Sequence, residues 1–170
     1  MTEESDETTL SNQAGVSGSS PTWRLHAFAE FDAATLYRVL SARMAVFVVE
    51  QACPYQDIDG LDAEALHLSG WSADGELAAY ARLLPPGTRF GLPSIGRVLT
   101  TTGHRRRGLG RELMRRAIAT AHDRWPGMDI RISAQCYLER FYADLGFRVE
   151  TEPYDEDGIP HIDMRLPPPA

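Results

Sequence analysis

Residues 94–114 constrain this chain most, because they join a strand, a short basic loop and a helix that opens on glycines. Within this segment Arg105, Gly108 and Gly110 form the pattern Arg-x-x-Gly-x-Gly. The first N–H groups of a helix lack intrahelical partners, and the helix dipole adds positive charge there. Glycines let a phosphate approach the backbone because no Cβ intervenes. The segment therefore predicts a pyrophosphate-binding turn inside an α/β fold.

The residues around the glycines exclude two other phosphate-binding loops. A Walker A loop requires Lys-Ser or Lys-Thr after its glycines, and no such pair follows here. Arg111, Glu112 and Leu113 follow Gly110, so the third glycine of a dinucleotide-binding fingerprint is missing. Taken alone, the segment is also compatible with an ordinary surface loop before a helix that begins with glycine.

Length and composition indicate one domain with a core of its own. The chain has 170 residues, 43% of them hydrophobic, which suffices for one packed domain. No apolar run approaches the ~18 residues that span a bilayer, and the acidic, polar N-terminus is unlike a signal peptide, so we expect a cytoplasmic protein with no membrane partner. Cys53 and Cys136 form neither a metal clip nor a disulfide framework, so we expect free thiols and no metal.

The charge distribution favours a local anion site over a nucleic-acid surface. The formal net charge is −7, which opposes general binding to a polyanion. Six arginines nevertheless lie within twelve residues of the basic loop and helix, at Arg105, Arg106, Arg107, Arg111, Arg115 and Arg116. A nucleic-acid-binding protein that uses this run is a weaker hypothesis, because the Gly-x-Gly context and the net charge both argue against it.

Hydrophobic periodicity and turn residues predict a layered α/β domain. We expect a disordered tail over residues 1–20, a single domain over 21–167 and a short tail over 168–170. Asp32 is a predicted helix N-cap, and Asp74-Gly75 predicts a hairpin turn. The predicted order is β-α-β-β-β-α-β-α-β-β, with strands at 23–28, 65–72, 76–84, 95–99, 129–134, 147–151 and 159–165, and helices at 32–49, from 108 and at 137–145.

Three further motifs connect the basic loop to a known family. They are Phe141-Tyr142-x-x-x-Gly146-Phe147, Glu50-Gln51-x-Cys53-Pro54-Tyr55 and Gly158-Ile159-Pro160-His161. With the Arg-x-x-Gly-x-Gly loop they resemble the GCN5-related N-acetyltransferases (GNAT superfamily), in the ElaA-like branch, over residues 23–166. This resemblance implies an α/β fold with a mixed, mostly antiparallel sheet of six to seven strands, flanked by helices and splayed between strands 4 and 5.

The resemblance also implies an activity and a cofactor site. The family transfers the acetyl group of acetyl-CoA to a primary amine by direct attack in a ternary complex. Val98, Leu99 and Thr100 of strand 4 are then expected to pair with pantetheine, and a backbone N–H there to polarise the thioester. Many members carry Asn after strand 5 where this chain has Ala134-Gln135, so a role for Gln135 stays open. The pyrophosphate is expected at Arg105, Arg106, Arg107, Gly108, Leu109, Gly110 and Arg111.

Candidate catalytic groups each have a plain structural alternative. Tyr142 is the predicted general acid for the departing thiolate, and the alternative is a core aromatic. Glu50, His67 and His161 are the candidate bases. The alternatives are that Glu50 is an ordinary surface glutamate and that the histidines are structural. Cys136 follows strand 5, so a covalent acetyl-cysteine route is conceivable, although a small buried thiol fits better.

The acceptor side is less specific in sequence. Asp57, Asp59 and Asp62 lack the spacing of a calcium loop and predict either an acidic rim that attracts a cationic amine or solvated turn residues. Nothing in the sequence identifies the amine acceptor or demands a homodimer, although side-by-side dimers are common in the resembled family. An inactive domain that binds or senses acyl-CoA is the alternative function.

Overall fold

The structure, a computed structural model, describes residues 20–169. The predicted tail up to residue 19, and residue 170, lie outside these described residues. The strands are β1 (Thr22–Ala27), β2 (Leu66–Trp71), β3 (Leu77–Leu84), β4 (Ser94–Thr100), β5 (Ile130–Gln135), β6 (Arg148–Val149), β7 (Tyr154–Glu156) and β8 (Ile159–Leu166). The α-helices are α1 (Ala33–Arg43), α2 (Leu109–Arg124) and α3 (Glu139–Ala143).

The strands form one mixed sheet in the order β1-β2-β3-β4-β5-β8, and the far edge of β8 pairs with β6 and β7. Every pairing is antiparallel except that between β4 and β5. This confirms the predicted mostly antiparallel α/β fold. Residues 20–169 hold eight strands rather than six or seven, because β7 is short and polar and carries no alternating apolar signal in sequence.

β4 and β5 separate along their length, as the resemblance implied. They pair at Ser94 and Arg131, and the Arg131 N–H also donates to the Pro93 carbonyl at 3.0 Å. No further pairing between these two strands occurs among residues 20–169. Their carboxyl ends therefore leave a gap in the sheet.

A β-bulge in β4 accompanies this separation. Gly96 lies opposite Arg82 and Leu99 opposite Tyr80, so β4 has one residue more than β3 over this stretch. Arg97 occupies the bulge with a left-handed φ of 52°. A bulge bends its strand and increases the local twist, which directs the end of β4 away from β5.

Two apolar layers cover the sheet, one on each face. Helix α2 packs Leu113, Met114 and Ala117 onto one face, against residues such as Ile132 and Ala134. Helix α1 packs against the other face in a smaller cluster that contains Val39, Trp71, Leu77, Tyr80 and Leu99. The gap between β4 and β5 therefore opens on both faces of the sheet. We call the face that packs against α1 the α1 side and the face that packs against α2 the α2 side.

Local sequence signals account for the ends of several elements. The Asp32 carboxylate caps α1 by accepting the Thr35 N–H at 2.8 Å, as predicted. The predicted turn at Asp74-Gly75 joins β2 to β3, with Gly75 at a φ of 77°. The first helix was predicted to continue to residue 49 as one element, but α1 ends at Arg43 and the next seven residues, Met44–Glu50, are π-helical. None of the helices in residues 20–169 is long and apolar enough to cross a membrane.

Candidate active site

A cleft of about 420 Å³ occupies the gap between β4 and β5. Its walls come from the ends of both strands, the π-helical segment and the loop after it, α3, and the β7–β8 hairpin. Among the lining residues are Phe47, Glu50, Leu99, Gln135, Tyr142 and His161. This is the place where the sequence predicted the thioester, beyond Leu99.

The basic loop gives one end of the cleft a concave set of backbone donors. The loop turns through left-handed conformations at Arg106 (φ 62°) and Gly108 (φ 73°), and Gly108 is the N-cap of α2. The N–H groups of residues 105–110 donate to no acceptor among the described residues. Successive free N–H groups at a helix N-terminus form an anion-binding site, so the loop has the chemistry for a pyrophosphate.

Two predicted site residues, Arg105 and Glu50, are bound to each other. The Arg105 guanidinium forms a bidentate pair with the Glu50 carboxylate at 2.7 and 2.8 Å, and its Nε donates to the Thr100 carbonyl at 3.1 Å. The hydrogen bond from Arg105 lowers the pKa of Glu50, and the same bond raises the pKa of Arg105. Neither side chain is free here for the role that the sequence suggested, a base for Glu50 and a phosphate ligand for Arg105.

The other loop arginines divide into paired and unpaired side chains. Arg111 forms an ion pair with Asp144 at 2.8 Å and lies over the ring of Phe141. Arg106 and Arg107 are exposed and have no carboxylate within ion-pair distance among residues 20–169. These two therefore remain the cations with free guanidinium groups beside the backbone donors.

Tyr142 lies at the cleft and is also part of the core. Its side chain is 7% exposed and packs edge-on against Phe141 and Phe147, with ring centroids 5.0 and 6.0 Å away. Burial raises the pKa of Tyr142 to about 12, so the phenol is protonated at neutral pH. Tyr142 is therefore both a residue of the cleft wall and an aromatic side chain of the core, so the two interpretations of the sequence are compatible.

His67 lies outside the cleft, which corrects its prediction as a base. The ring is 1% exposed on β2, and both nitrogens have partners, the Tyr80 hydroxyl at 2.7 Å and the Asp62 carbonyl at 2.9 Å. Burial lowers the pKa of His67, which keeps the ring neutral. The alternation along the strand predicts that His67 points to the face opposite to that of Leu66 and Leu68. The fold of the sheet shows that the face with His67 is also covered by other residues.

Three aspartates predicted as an acidic rim or as solvated turn residues are instead counterions of arginines. Asp57 and Asp62 are buried. Arg43 bridges them, with Nε 2.8 Å from Asp57 and Nη1 2.6 Å from Asp62. We call the following set the arginine–aspartate network: Arg43, Arg82, Arg97, Asp57, Asp59 and Asp62.

The arginine–aspartate network fixes the wall of the cleft that follows the π-helical segment. Arg97 Nε lies 2.6 Å from the Asp57 carboxylate, so the bulge in β4 is tied to the loop of residues 51–65. The same loop carries Cys53 and Tyr55, which line the cleft. Sequence reasoning did not identify the three arginines as members of the site, because they come from three different elements.

Polar side chains cover the α1 side of the cleft. Gln135 Nε2 donates to Gln51 Oε1 at 3.0 Å, across from β5 to the end of the π-helical segment. His161 lies directly opposite Gln135 in the β5–β8 pairing, and its Nδ1 is 2.8 Å from the Ile159 carbonyl oxygen. The structure thus brings together residues from the Glu-Gln-x-Cys-Pro-Tyr motif, the end of β5 and the Gly-Ile-Pro-His motif.

β7 adds a cluster that the sequence analysis missed. The Tyr154 hydroxyl is 2.5 Å from Ser133 Oγ and donates to Asp163 at 2.9 Å. Glu156 accepts from Ser133 at 3.2 Å and pairs with Arg89 at 2.9 Å. Alternation of polar residues along β5 and β8 was the available signal, since these positions share one face.

Neither cysteine is linked or arranged as a metal ligand in the part of the chain that the structure describes. Both thiols are free, as predicted. Cys53 is buried, and its Sγ donates to the Asp157 carbonyl at 3.4 Å. Cys136 is partly buried and is not among the residues that line the cleft. Residues 20–169 contain no group of three or more His, Cys, Asp or Glu side chains placed to hold a metal ion.

Known proteins are similar to this chain in both fold and sequence. Residues 32–167 match the family model of the acetyltransferase (GNAT) domain. A crystal structure of an acyl-CoA N-acyltransferase from Pseudomonas aeruginosa superimposes with a TM-score of 0.82 at 44% identity, covering 86% of this chain and 99% of that one. The crystal structure of Escherichia coli ElaA gives 0.80 at 41%, with the same coverage.

The sequence comparison agrees with the structural one. ElaA of Escherichia coli is 43% identical over 144 residues, which are 84% of this chain and 94% of ElaA. Both comparisons extend over nearly the whole domain, so the likeness is not limited to the cofactor loop. The chain therefore belongs to the GNAT family of acetyltransferases, in the branch that includes ElaA.

Proposed function

We propose that this acetyltransferase moves the acetyl group of acetyl-CoA to a primary amine by direct attack in a ternary complex. Membership of the family supports acyl transfer as the general reaction. The observation that carries the finer proposal is the cleft through the sheet, which has unpartnered N–H groups at its α2 end and a protonated Tyr142 on its wall. A binding module for an anion alone needs no buried phenol beside the site.

The residues present fit CoA. The free N–H groups of residues 105–110 are donors for the pyrophosphate, and Arg106 and Arg107 are available for charge-assisted bonds to phosphate. Val98, Leu99 and Thr100 lie on the unpaired edge of β4, where the pantetheine amides add like a further strand. When bound, acetyl-CoA supplies the thioester that is the acetyl donor.

Direct attack defines what the chain must provide. A C–N bond forms as the amine attacks the thioester carbonyl, and the C–S bond breaks as the tetrahedral intermediate collapses. A backbone N–H of the 98–100 stretch stabilises the oxyanion. The amine proton leaves to a base, and the electron pair of the broken bond stays on sulfur.

The pKa of Tyr142 specifies how it assists the leaving thiolate. A thiol has an ordinary pKa of about 8.5, whereas burial raises that of Tyr142 to about 12. Full proton transfer from Tyr142 to the thiolate is therefore uphill. We propose that Tyr142 donates a hydrogen bond to the sulfur as its charge develops, and that the proton follows from elsewhere.

One contact also supports the alternative function, a domain that binds acyl-CoA without transferring the acyl group. The Glu50–Arg105 pair holds a candidate base and a cofactor-loop arginine together. A domain that binds acyl-CoA and transfers nothing would tolerate such a closed arrangement. The two functions differ in whether any amine releases free CoA thiol.

The test is a thiol-release assay with acetyl-CoA and a panel of polyamines, amino acids and peptides, on the unmodified protein and Tyr142→Phe. We expect turnover on at least one amine, and a fall in kcat of about 100-fold or more in the variant, at unchanged KM for acetyl-CoA. Tyr37→Phe is the matched control, because Tyr37 is 75% exposed on α1 and does not line the cleft. Undiminished kcat in Tyr142→Phe rejects its role, and acetyl-CoA binding without turnover on any amine favours the sensing domain.

A further inference from the structure

The proposed transfer needs a base on the acceptor side of the cleft. An amine with a pKa near 10 is protonated at neutral pH and has no lone pair for attack. The carboxylates and imidazole that line the cleft belong to Glu50, Glu156, Asp157 and His161. The contacts of each decide which one can accept a proton.

Asp157 is exposed to solvent on the β7–β8 turn, and the other two carboxylates, Glu50 and Glu156, are each paired with an arginine. Glu50 is held by both terminal nitrogens of Arg105. Glu156 is held by Arg89 on one oxygen and by Ser133 on the other. The carboxylate oxygens of both residues therefore already accept hydrogen bonds from other side chains, whereas an attacking amine needs an acceptor that is free.

The hydrogen bond of His161 fixes its tautomer. Nδ1 lies 2.8 Å from the Ile159 carbonyl oxygen, which can only accept, so the proton of the neutral ring is on Nδ1. Nε2 then carries the lone pair, and no described residue donates to it. The ring also stacks on Tyr154, at 6.3 Å between centroids and 28° between planes. Tyr154 is in turn fixed by Ser133 and Asp163.

His161 and Tyr142 approach the cleft from opposite faces of the sheet. His161 shares a face with its partner Gln135, whose side chain reaches Gln51 on the α1 side. Tyr142 packs in the core cluster of the α2 side, with Leu113 and Ala134. The amine adds to the thioester carbonyl and the thiolate leaves from the tetrahedral intermediate, so a base and a hydrogen-bond donor for the sulfur can act from these two sides of the cleft without competing for the same space.

We infer that Nε2 of His161 is the general base that takes the proton from the attacking amine, across the cleft from Tyr142. The inference rests on the proposed transfer to an amine. Nε2 takes one proton from the ammonium and passes it to solvent, and the freed nitrogen lone pair forms the C–N bond. The nitrogen then releases a second proton to Nε2 as the tetrahedral intermediate collapses, and the C–S pair leaves on sulfur. The imidazolium then returns its proton to solvent or to the thiolate. Titratable neighbours on this side are Tyr154 and Glu156 of β7, Asp157 of the turn, and Cys53 and Glu50 opposite.

The first test compares two matched substitutions. His161→Asn keeps a donor near the Nδ1 position and lacks Nε2, so kcat should fall by about 100-fold or more while KM for acetyl-CoA is unchanged. Asp155→Asn is the control, because Asp155 is exposed on β7, does not line the cleft, and asparagine keeps the side-chain oxygen that accepts the Gly158 N–H at 3.1 Å. It should retain the activity of the unmodified protein. An unchanged kcat in His161→Asn, or a loss in Asp155→Asn as large as that in His161→Asn, overturns the assignment.

The second test separates base catalysis from positioning. Imidazole added to His161→Ala should restore part of kcat, and the loss should shrink for acceptor amines whose pKa lies below the assay pH, since these arrive unprotonated. An equal loss on all amines with no rescue shows a positioning role and overturns the inference. Full turnover in His161→Asn refutes the base alone, whereas an unmodified protein that acetylates no amine refutes the proposed function and this inference together.

Discussion

Replacing Arg43 by methionine measures how much the arginine–aspartate network stabilises the fold. The guanidinium is fully buried and donates three hydrogen bonds, to the Asp57 carboxylate at 2.8 Å, the Asp62 carboxylate at 2.6 Å and the Asp57 carbonyl at 2.9 Å. The network contains three arginines and three aspartates, so the substitution gives the whole set a net charge of −1. Methionine fills part of the space of the side-chain stem but offers no donor.

The expected loss follows from the contacts that remain. Removing one partner of a buried ion pair costs about 3–5 kcal/mol. Asp57 keeps Arg97 at 2.6 Å, and Asp62 keeps Arg82 at 3.0 Å, so neither carboxylate is left without a cation. We therefore expect the lower end, about 3 kcal/mol, which corresponds to a fall in Tm of about 6–12 °C for a chain of this size.

Urea unfolding followed by tryptophan fluorescence measures this loss. Trp71 packs in the same cluster as Val39 of α1, so its emission reports on the region around Arg43. Arg43→Met combined with Asp62→Asn restores the charge balance and should lose less than the sum of the single changes. A single-variant loss under about 1 kcal/mol, or strict additivity in the double variant, would refute the reasoning.

Two further predictions concern the cofactor loop and the acid stability. Gly108→Ala places a Cβ at a φ of 73°, which costs about 1–2 kcal/mol, so we expect about a tenfold rise in KM for acetyl-CoA. Gly103→Ala is the control, because Gly103 has no left-handed φ and nothing lies within 4 Å of the added Cβ, so KM should stay unchanged. Equal effects of the two substitutions would contradict the role of Gly108. His67 is held neutral by burial, which lowers its pKa below 6.5, so its contribution to stability is present above that pH and lost as the pH falls, because the unfolded chain takes up the proton. His67→Gln should therefore flatten the fall in unfolding free energy between about pH 7 and pH 5, and identical pH slopes for both proteins would contradict this.

Local chemistry is the part of the fold that the sequence could predict. The carboxylate of Asp32, the Asp-Gly turn before β3 and the glycine cap of α2 each act within a few residues of the chain, so their residue types identify them. The apolar stripe of α2 and the alternation along β5 follow from the same short-range periodicity. The predicted order of helices and strands therefore agrees with the structure, apart from the missing β7 and the π-helical end of the first helix.

Features that arise from long-range contacts were wrong or missing. Glu50 and Arg105 are 55 positions apart, and their pairing changes the role of both. Arg97 and Asp57 are 40 positions apart, and their contact turns a predicted acidic rim into the wall of the cleft. The bulge in β4 falls on an arginine rather than a glycine, so residue type gave no signal for it. β7 exists because β8 offers it an edge, and its own three residues carry no strand pattern.

Local residue chemistry was thus enough to predict the helix N-terminus that we propose holds a phosphate, because backbone donors, glycines and capping residues act over a few positions. Which titratable groups are free to act depends on how the chain folds. It placed Tyr142 and His161 on opposite faces of one gap, buried His67 in the sheet and neutralised Glu50 with Arg105. Proton affinity and access depend on neighbours brought together by folding, and no spacing along the chain encodes them.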